Sequence, residues 1–486
     1  MSKESNKIAS NTLVQIIGRM LVMVMALIST KLITNYLGPE GTGFYTTIVT
    51  YFNFIIVIAD FGLFSVAVRE VSKDYSNYKK ILGNIFYIRL ISALIATIIA
   101  VIIIFFTKYP TEIKNGVLIA SLFPIFNLTG SVYDMFLQVK LEMKKVAIAE
   151  IISKIIALAG VIIAVAFNLG IYIIITTVSL AAVSNFLIKM LISKKQLPLN
   201  FRYDKSILPH FIKMSVPLGI VFIVNNIYFK VDSLMLFYYK GAADVGIYAV
   251  AYRVLETTLF AGSYLTSSLK PLLSVSVEND KEKTTRALKQ GTNFLFFMAL
   301  TISIICITFP KEIILFLSNE EFIKGANVTI ILGFATIFIY LGGMFGEIMI
   351  AKDMRRTMLK ISGFILLFNV ALNMYLIPRY GFIGAAYATL ISEVVLLAIS
   401  WNVAKKATEI SLDWARITKL VSIGLFSVLF GYFLKRFDIY FLINMLFTVI
   451  TYVALSYFLD AIPKSVVNNY LISLKSKWTK KTSPSL

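Results

Sequence analysis

Seven cations sit inside long apolar runs of this chain: Arg19, Lys31, Arg89, Lys154, Lys230, Arg253 and Lys270. A charge at the middle of a bilayer costs about 2.5–3.5 kcal/mol on insertion scales, so each needs a counter-charge, water or a route to the surface. Arg19 and Arg253 each lie about two turns inside their runs, at about 1.5 Å per residue, and this depth points to a polar cavity. Lys31 and Lys270 are close to the ends of their runs and fit snorkelling. Arg89 and Lys154, about two or three turns from an end, fit either reading, and Lys230 is intermediate. Such a set suits an anion. Guanidinium is a planar fork that matches phosphate oxygens, and a cavity with more cations than acids attracts negative charge.

The apolar runs also carry the acids Asp60, Asp134, Glu150, Asp232, Glu256, Glu347 and Glu393. Glu256 follows Arg253 by three residues and Lys154 follows Glu150 by four, so each pair shares a helix face and should pair along it. Lys230 and Asp232 are two apart and point in different directions. Asp60, Asp232, Glu256, Glu347 and Glu393 are the candidates for ion coupling or charge pairing. Glu347 and Glu393 have no cation nearby in sequence, so each titrates, binds an ion or meets an Arg from another helix. Asn225, Asn226, Asn369 and Asn373 are amides expected to bond between helices.

No catalytic set is visible. There is no Gly-x-x-x-x-Gly-Lys-Ser/Thr loop for ATP phosphates. His210 and Cys306 are the sole residues of their types, so no His/Cys metal set and no internal disulfide are expected. The polar segments are too short to hold a soluble active site. The expectation is a protein that is not an enzyme and uses no cofactor or metal.

The elements that would position these charges follow from composition. Hydrophobic residues make up 58% of the chain and charged residues 15%, and mean hydropathy is +0.81. Apolar runs of about 20 residues recur, each able to span roughly 30 Å as a helix. We place fourteen spanning helices between about residues 12 and 460, giving an all-α polytopic membrane protein. The first run is too long for a signal-peptide core and is read as the first span.

Lys and Arg distribution sets the orientation. With the N-terminus inside, 32 of the 47 cations fall in cytoplasmic segments and eight in external ones, which fits the positive-inside rule with both termini cytoplasmic. The net charge of +21 then serves anionic lipid, not nucleic acid.

Two stretches share one template. Residues 36–45 read YLGPEGTGFY and residues 239–248 read YKGAADVGIY. Each would be the external turn between the first and second helix of a half, with glycines permitting tight turns and close packing. A second echo is NLG at 168–170 and RYG at 379–381. These repeats divide the chain into an N-terminal lobe of six helices (1–192), an inter-lobe loop (193–210), a second six-helix lobe (211–404), two extra helices (405–460) and a basic tail (461–486).

With these residues placed, a family resemblance is visible. Gly18-Arg19, YLGPEGTGFY, Asp60–Leu63 (DFGL) and Arg69 together resemble the start of bacterial polysaccharide exporters. These are the O-antigen and capsule-type flippases of the multidrug/oligosaccharidyl-lipid/polysaccharide (MOP) superfamily. GIYAVAYRVLE (246–256), following Asp232, and YLIPRYGFIGAAYATLISEVV (375–395) are similar to later helices of the same family. The resemblance implies a cell-membrane transporter working by alternating access around a central cavity. It implies an undecaprenyl-pyrophosphate-linked oligosaccharide as cargo, carried from the inner to the outer leaflet. H+ or Na+ and the membrane potential are the implied energy sources, and a polymerase or glycosyltransferase the implied partner. On this reading Arg19, Arg253, Lys230, Arg89 and Lys31 meet the headgroup phosphate. The alternatives are a lipid II flippase, a drug/cation antiporter of the same superfamily, and a non-transporting scaffold of a polysaccharide synthase complex. An antiporter would want acids, not cations, to dominate the cavity.

Overall fold

The computed structural model describes residues 3–197, 204, 208–279, 281–408 and 412–462, without the side chains of 3–13, 208, 218, 260, 261 and 263–287. The side chain of Lys270 and nearly all of the basic tail therefore lie outside the described residues.

Among the described residues there is no strand. The helices in order are α1 (Lys3–Asp60), α2 (Leu63–Lys73), α3 (Tyr78–Phe106), α4 (Thr111–Ile119), α5 (Leu122–Val139), α6 (Met143–Ala166), α7 (Ile171–Ser193), α8 (Leu208–Lys240), α9 (Ala242–Asn279), α10 (Lys281–Thr308), α11 (Pro310–Leu317), α12 (Gly325–Ala351), α13 (Arg355–Thr408), α14 (Trp414–Lys435) and α15 (Phe441–Phe458). Helix is what a continuous apolar run must form in lipid, where every backbone N–H and C=O has to be satisfied within the segment.

Eleven segments of the described residues are long and apolar enough to cross a membrane, and the protein is multi-pass. Two of these, Val14–Asp60 and Arg355–Thr408, each contain one non-helical glycine, Gly38 and Gly381, and are two helices joined without a loop. Divided there, the eleven become thirteen. α9, expected as a further span, lies outside that count, and many of its side chains lie outside the described residues.

The chain forms two compact units. One contains residues up to Val250 together with Phe316–Phe322 and Val370–Ala385. Its core has a layer of Leu82, Ile85, Val132, Tyr133 and Phe136 from α3 and α5. A second layer is made by Ile48, Phe52, Ile113, Val117 and Ile175. The other unit contains Ala251–Leu315, Ile323–Asn369 and the chain from Ala386 on. There α10 packs on α12 through Leu295, Ala299, Tyr340 and Met344. On α14 and α15 it packs through Phe297, Ile304, Leu420, Ile423 and Tyr452.

Both template stretches lie in the first unit, and they interlock. Gly38 (φ 63°) and Gly241 (φ 88°) are the left-handed breaks between successive helices, a conformation glycine adopts without penalty. Pro39 then starts the next helix, where its missing N–H is not needed. The second glycine of each stretch meets the residue after the first glycine of the other. A Cβ at Gly43 would lie 1.8 Å from the Ala242 carbonyl oxygen, and one at Gly246 would lie 2.0 Å from the Pro39 carbonyl oxygen. The contact is reciprocal, as a duplicated unit facing its own copy would make it.

The second echo keeps the same company. Tyr36 donates to Asn168 Oδ1 at 2.7 Å and accepts from the Gly170 amide at 2.9 Å. In the other copy, a Cβ at Gly381 would lie 2.6 Å from Asp244 Oδ2.

Within the stretch 193–210, which the sequence reading takes as an inter-lobe loop, the described residue Asp204 makes polar contacts in the first unit. Asp204 pairs with Lys80 at 2.9 Å, and its amide donates to Asn84 Oδ1 at 2.7 Å.

Gly43→Ala and Gly246→Ala should each destabilise the fold by about 1–3 kcal/mol, because backbone atoms cannot step aside for the added methyl. Gly342, with nothing within 4 Å of its Cβ position, is the control: Gly342→Ala should be neutral or slightly stabilising. Thermal unfolding of the purified protein in detergent measures all three.

Candidate functional site

The first unit gathers most of the buried charge. Asp60 ends α1, and the next two residues, Phe61 (φ 43°) and Gly62 (φ 78°), are left-handed. This kink turns the chain into α2 and leaves the Asp60 carboxylate facing α3. There it pairs with the Arg89 guanidinium, whose side chain is 1% exposed. Arg89 also donates to Ser131 Oγ and, at 3.1 Å, to the Leu128 carbonyl of α5. The guanidinium lies 5.9 Å from the centre of the Phe64 ring. Arg89 is thus engaged through both terminal nitrogens: its acid comes from α1 and its neutral acceptors from α5.

A second pair lies nearby. Lys189 of α7 bonds Asp134 of α5 at 2.8 Å and is buried. In sequence Lys189 counts as a cation at the mouth of the central loop; the fold draws it inward because Asp134 needs a counter-ion. The spacing of Lys189 gave no hint of this. The signal was Asp134, an acid deep in an apolar run with no cation near it in sequence.

Glu150 of α6 is near Lys189, Asp134 and Arg19 as well as Lys154, the partner its spacing suggests. α1 and α6 approach closely here, where a Cβ at Gly18 would lie 3.1 Å from Ala147 Cβ. Arg19 and Lys154 are both exposed. The fold therefore sorts the cations of this unit into two classes. Arg89 and Lys189 are buried and each has its own carboxylate. Arg19 and Lys154 are exposed and lie near Glu150.

Lys31, which its place near the end of its run allows to snorkel, donates its ammonium to the Ser318 carbonyl. Asp232 on α8 is 3% exposed and accepts from Tyr248 Oη at 2.5 Å and from the Ser233 amide at 2.7 Å. Tyr248 is the last tyrosine of the second template stretch, so that stretch also holds Asp232. Lys230, two residues away on α8, is half-buried.

In the second unit Arg253 donates to Glu256 Oε2 at 2.9 Å along α9, the intrahelical pair the spacing predicts. Asn369 donates to Ser392 Oγ at 3.1 Å, bonding across the two halves of α13. Glu393 is 2% exposed beside Ser392, and Glu347 is half-buried on α12. No cluster of three or more His, Cys, Asp or Glu with metal-binding geometry occurs among the described residues.

Comparison with known proteins places this architecture. A family model described as "Polysaccharide biosynthesis protein" matches residues 8–277, more than half of the chain. The chain belongs to this family. The resemblance of its first helices to polysaccharide exporters of the MOP superfamily holds at that level. A second model of the superfamily, MatE, matches residues 217–375.

Among curated polysaccharide-related proteins, the chain is 24% identical to the "Probable flippase AglR" of Haloferax volcanii, over 37% of this chain and 39% of that one. It is 25% identical to the "Capsular polysaccharide biosynthesis protein CapF" of Staphylococcus aureus, over 38% of this chain and 47% of that one. These matches span less than half the length of the relatives. Among solved structures, the fold is that of "Lipid II flippase MurJ, inward closed conformation", with a TM-score of 0.75 and 18% identity over 95% of this chain and all of that one.

The Arg89 pair predicts a stability effect. Asp60→Ala strands a buried guanidinium and should cost about 3–5 kcal/mol. The double change Asp60→Ala with Arg89→Met removes both charges and should recover most of that loss. Denaturant or thermal unfolding of the four-protein cycle measures the coupling.

Proposed function

We propose that this chain is a flippase that carries an undecaprenyl-pyrophosphate-linked oligosaccharide from the cytoplasmic to the outer leaflet of the cell membrane for surface polysaccharide synthesis. The observation that carries the reading is the exposure of two cations, Arg19 and Lys154, near Glu150 in the first unit. The more deeply buried cations Arg89 and Lys189 are paired with Asp60 and Asp134. A phosphate headgroup is a ligand that suits an exposed guanidinium beside an ammonium. The family supports the glycan half of the reading.

On this reading Arg19 is the first headgroup ligand and Lys154 joins it. Arg253 and Lys230 serve the second lobe, and Lys31 the outer end. Arg89 has a structural role. The drug/cation antiporter reading loses ground, because it needs acids to dominate and in the first unit Asp60 and Asp134 are paired with Arg89 and Lys189.

The two six-helix lobes (1–192 and 211–404) rock about the inter-lobe loop, with both termini cytoplasmic and fourteen spans in all. The headgroup crosses in the cavity while the polyprenyl tail stays in lipid. With no ATP motif, the work comes from an ion gradient or the membrane potential. Asp232, Glu256, Glu347 and Glu393 are the acids through which H+ or Na+ would couple. A polymerase or glycosyltransferase would use the product at the outer face or supply the substrate inside.

The test is transfer of a fluorescent lipid-linked oligosaccharide across proteoliposomes holding the purified protein, with and without an imposed potential. Removing one charge-assisted bond to phosphate costs about 1.5–3 kcal/mol, so Arg19→Gln and Lys154→Gln should each slow transfer roughly 10- to 100-fold. Wild-type protein that moves no lipid-linked glycan would overturn the proposal. So would full surface-polysaccharide export in cells carrying Arg19→Glu and Arg253→Glu together, which would favour a scaffold.

A further inference from the structure

Glu150 is a half-buried acid of α6 that the proposed mechanism does not use. The contacts on either side of it show what it faces. One turn earlier, α6 meets α1: a Cβ at Gly18 would lie 3.1 Å from Ala147 Cβ and 3.6 Å from Ile151 Cδ1. One turn later, Ser153 Oγ accepts from Asn185 Nδ2 of α7 at 3.2 Å. Residues three apart are neighbours on a helix surface, so Glu150 lies on the stripe of α6 between α1 and α7. Arg19 follows Gly18 on α1, and Lys189 is one turn beyond Asn185 on α7. Both are near Glu150, together with Lys154 of α6 itself and Asp134 of α5. All five residues belong to the first unit.

Charge alternates through this group. Asp60 pairs with Arg89, Arg89 is in the field of Asp134, and Asp134 holds the buried Lys189 ammonium at 2.8 Å. Glu150 is a second carboxylate near that ammonium. Two carboxylates around one cation repel each other, and such a site titrates as a coupled pair. Asp134 bonds the ammonium directly, which holds it in its ionised form. Glu150 shares its helix face with the exposed Lys154, so it is the member that answers to charge arriving there. Arg19 and Lys154 favour the ionised Glu150. An anion bound beside them cancels that support, and Glu150 then gains a proton. The linkage is reciprocal: a neutral Glu150 raises the charge of the group by one and tightens its hold on the anion. That change of one charge is the same whatever else Arg19 and Lys154 bond.

We propose that Glu150 is a proton-binding site linked to the anion site. It takes a proton from water when a phosphate group binds beside Arg19 and Lys154, and returns the proton when the phosphate leaves. The inference rests on the headgroup reading above for its biological ligand. A proton taken up in this way accompanies the anion and does not travel against it. Glu150 therefore fits work drawn from an inside-negative potential, which moves a net anion outward, better than work drawn from an inward proton gradient.

Infrared difference spectroscopy of the full-length protein in lipid films tests the site. At constant pH and matched ionic strength, exchanging chloride for inorganic pyrophosphate should produce the C=O band of a protonated carboxyl, within a pH range of about 5 to 9. Glu150→Gln should remove that band. Glu150→Asp, which keeps a carboxyl on a shorter arm, should retain it at a shifted frequency. Glu150→Gln also stands in for the proton-loaded state, so calorimetry should show it binding pyrophosphate severalfold more tightly than the wild type at neutral pH. A residue with only a packing role would leave that affinity unchanged or lower it. Thermal unfolding checks that each variant is folded, and if Glu150→Gln is not, the frequency shift in Glu150→Asp decides the assignment. Wild-type protein that binds pyrophosphate without the band overturns the proposal. So does a band that survives Glu150→Gln or stays unshifted in Glu150→Asp. Failure to bind pyrophosphate overturns it too, whatever the transfer assay shows. Failure of glycan transfer alone, with the band behaving as expected, counts against the proposed cargo and not against Glu150.

Discussion

A guanidinium in the middle of an apolar helix bundle has to be answered from within the bundle, because lipid offers it nothing. Arg89 sets that condition for the first unit. Its carboxylate must come from α1, so the end of α1 has to be placed within reach of α3. The left-handed residues Phe61 and Gly62 do this by ending the helix at Asp60. Its neutral acceptors come from α5, so α3 and α5 are held in register by polar bonds as well as by Leu82, Ile85 and Val132. The Lys189–Asp134 pair then ties α5 to α7 in the same manner. Apolar packing alone would let such helices slide, since lipid tails solvate them almost as well as neighbouring helices do. The buried ion pairs remove that freedom.

The same condition separates buried from exposed charge. A cation with a dedicated acid gains little by exchanging it for a ligand, and breaking the pair leaves a buried charge behind. Arg89 and Lys189 are of this kind, whereas Arg19 and Lys154 are exposed. The sequence motifs of the first helices serve this placement. The DFGL kink is the device that neutralises Arg89, and Gly18 is the close approach of α1 to α6.

Much of this was legible in the sequence because it follows from local constraints. Run length gave the helical membrane fold, and three- and four-residue spacing gave the Arg253–Glu256 pair. The matched turns gave the duplication. The interlocking of those turns was not legible, since a template repeated at a distance of about two hundred residues says nothing about whether its copies touch. Nor was the company of Glu150: helical spacing offers Lys154, but says nothing of Lys189, Asp134 and Arg19 from three other helices. The bond from Lys31 to Ser318 was not legible because its acceptor is a backbone carbonyl, and a carbonyl has no signature in sequence. α11 (Pro310–Leu317) was not legible either, being too short to span and too apolar at Ile313 to Leu317 to mark itself as a turn.

The reciprocal glycine contact sets what the two turns can tolerate. Gly43 against Ala242 and Gly246 against Pro39 bring backbone to backbone with no side chain between them. No flexible side chain is there to fold away for an added methyl, so each turn fixes the residue type of the other. Both stretches lie in the first unit. Two copies of one template, each supplying the glycine that the other requires, therefore constrain one another's sequence, which accounts for the template surviving in both.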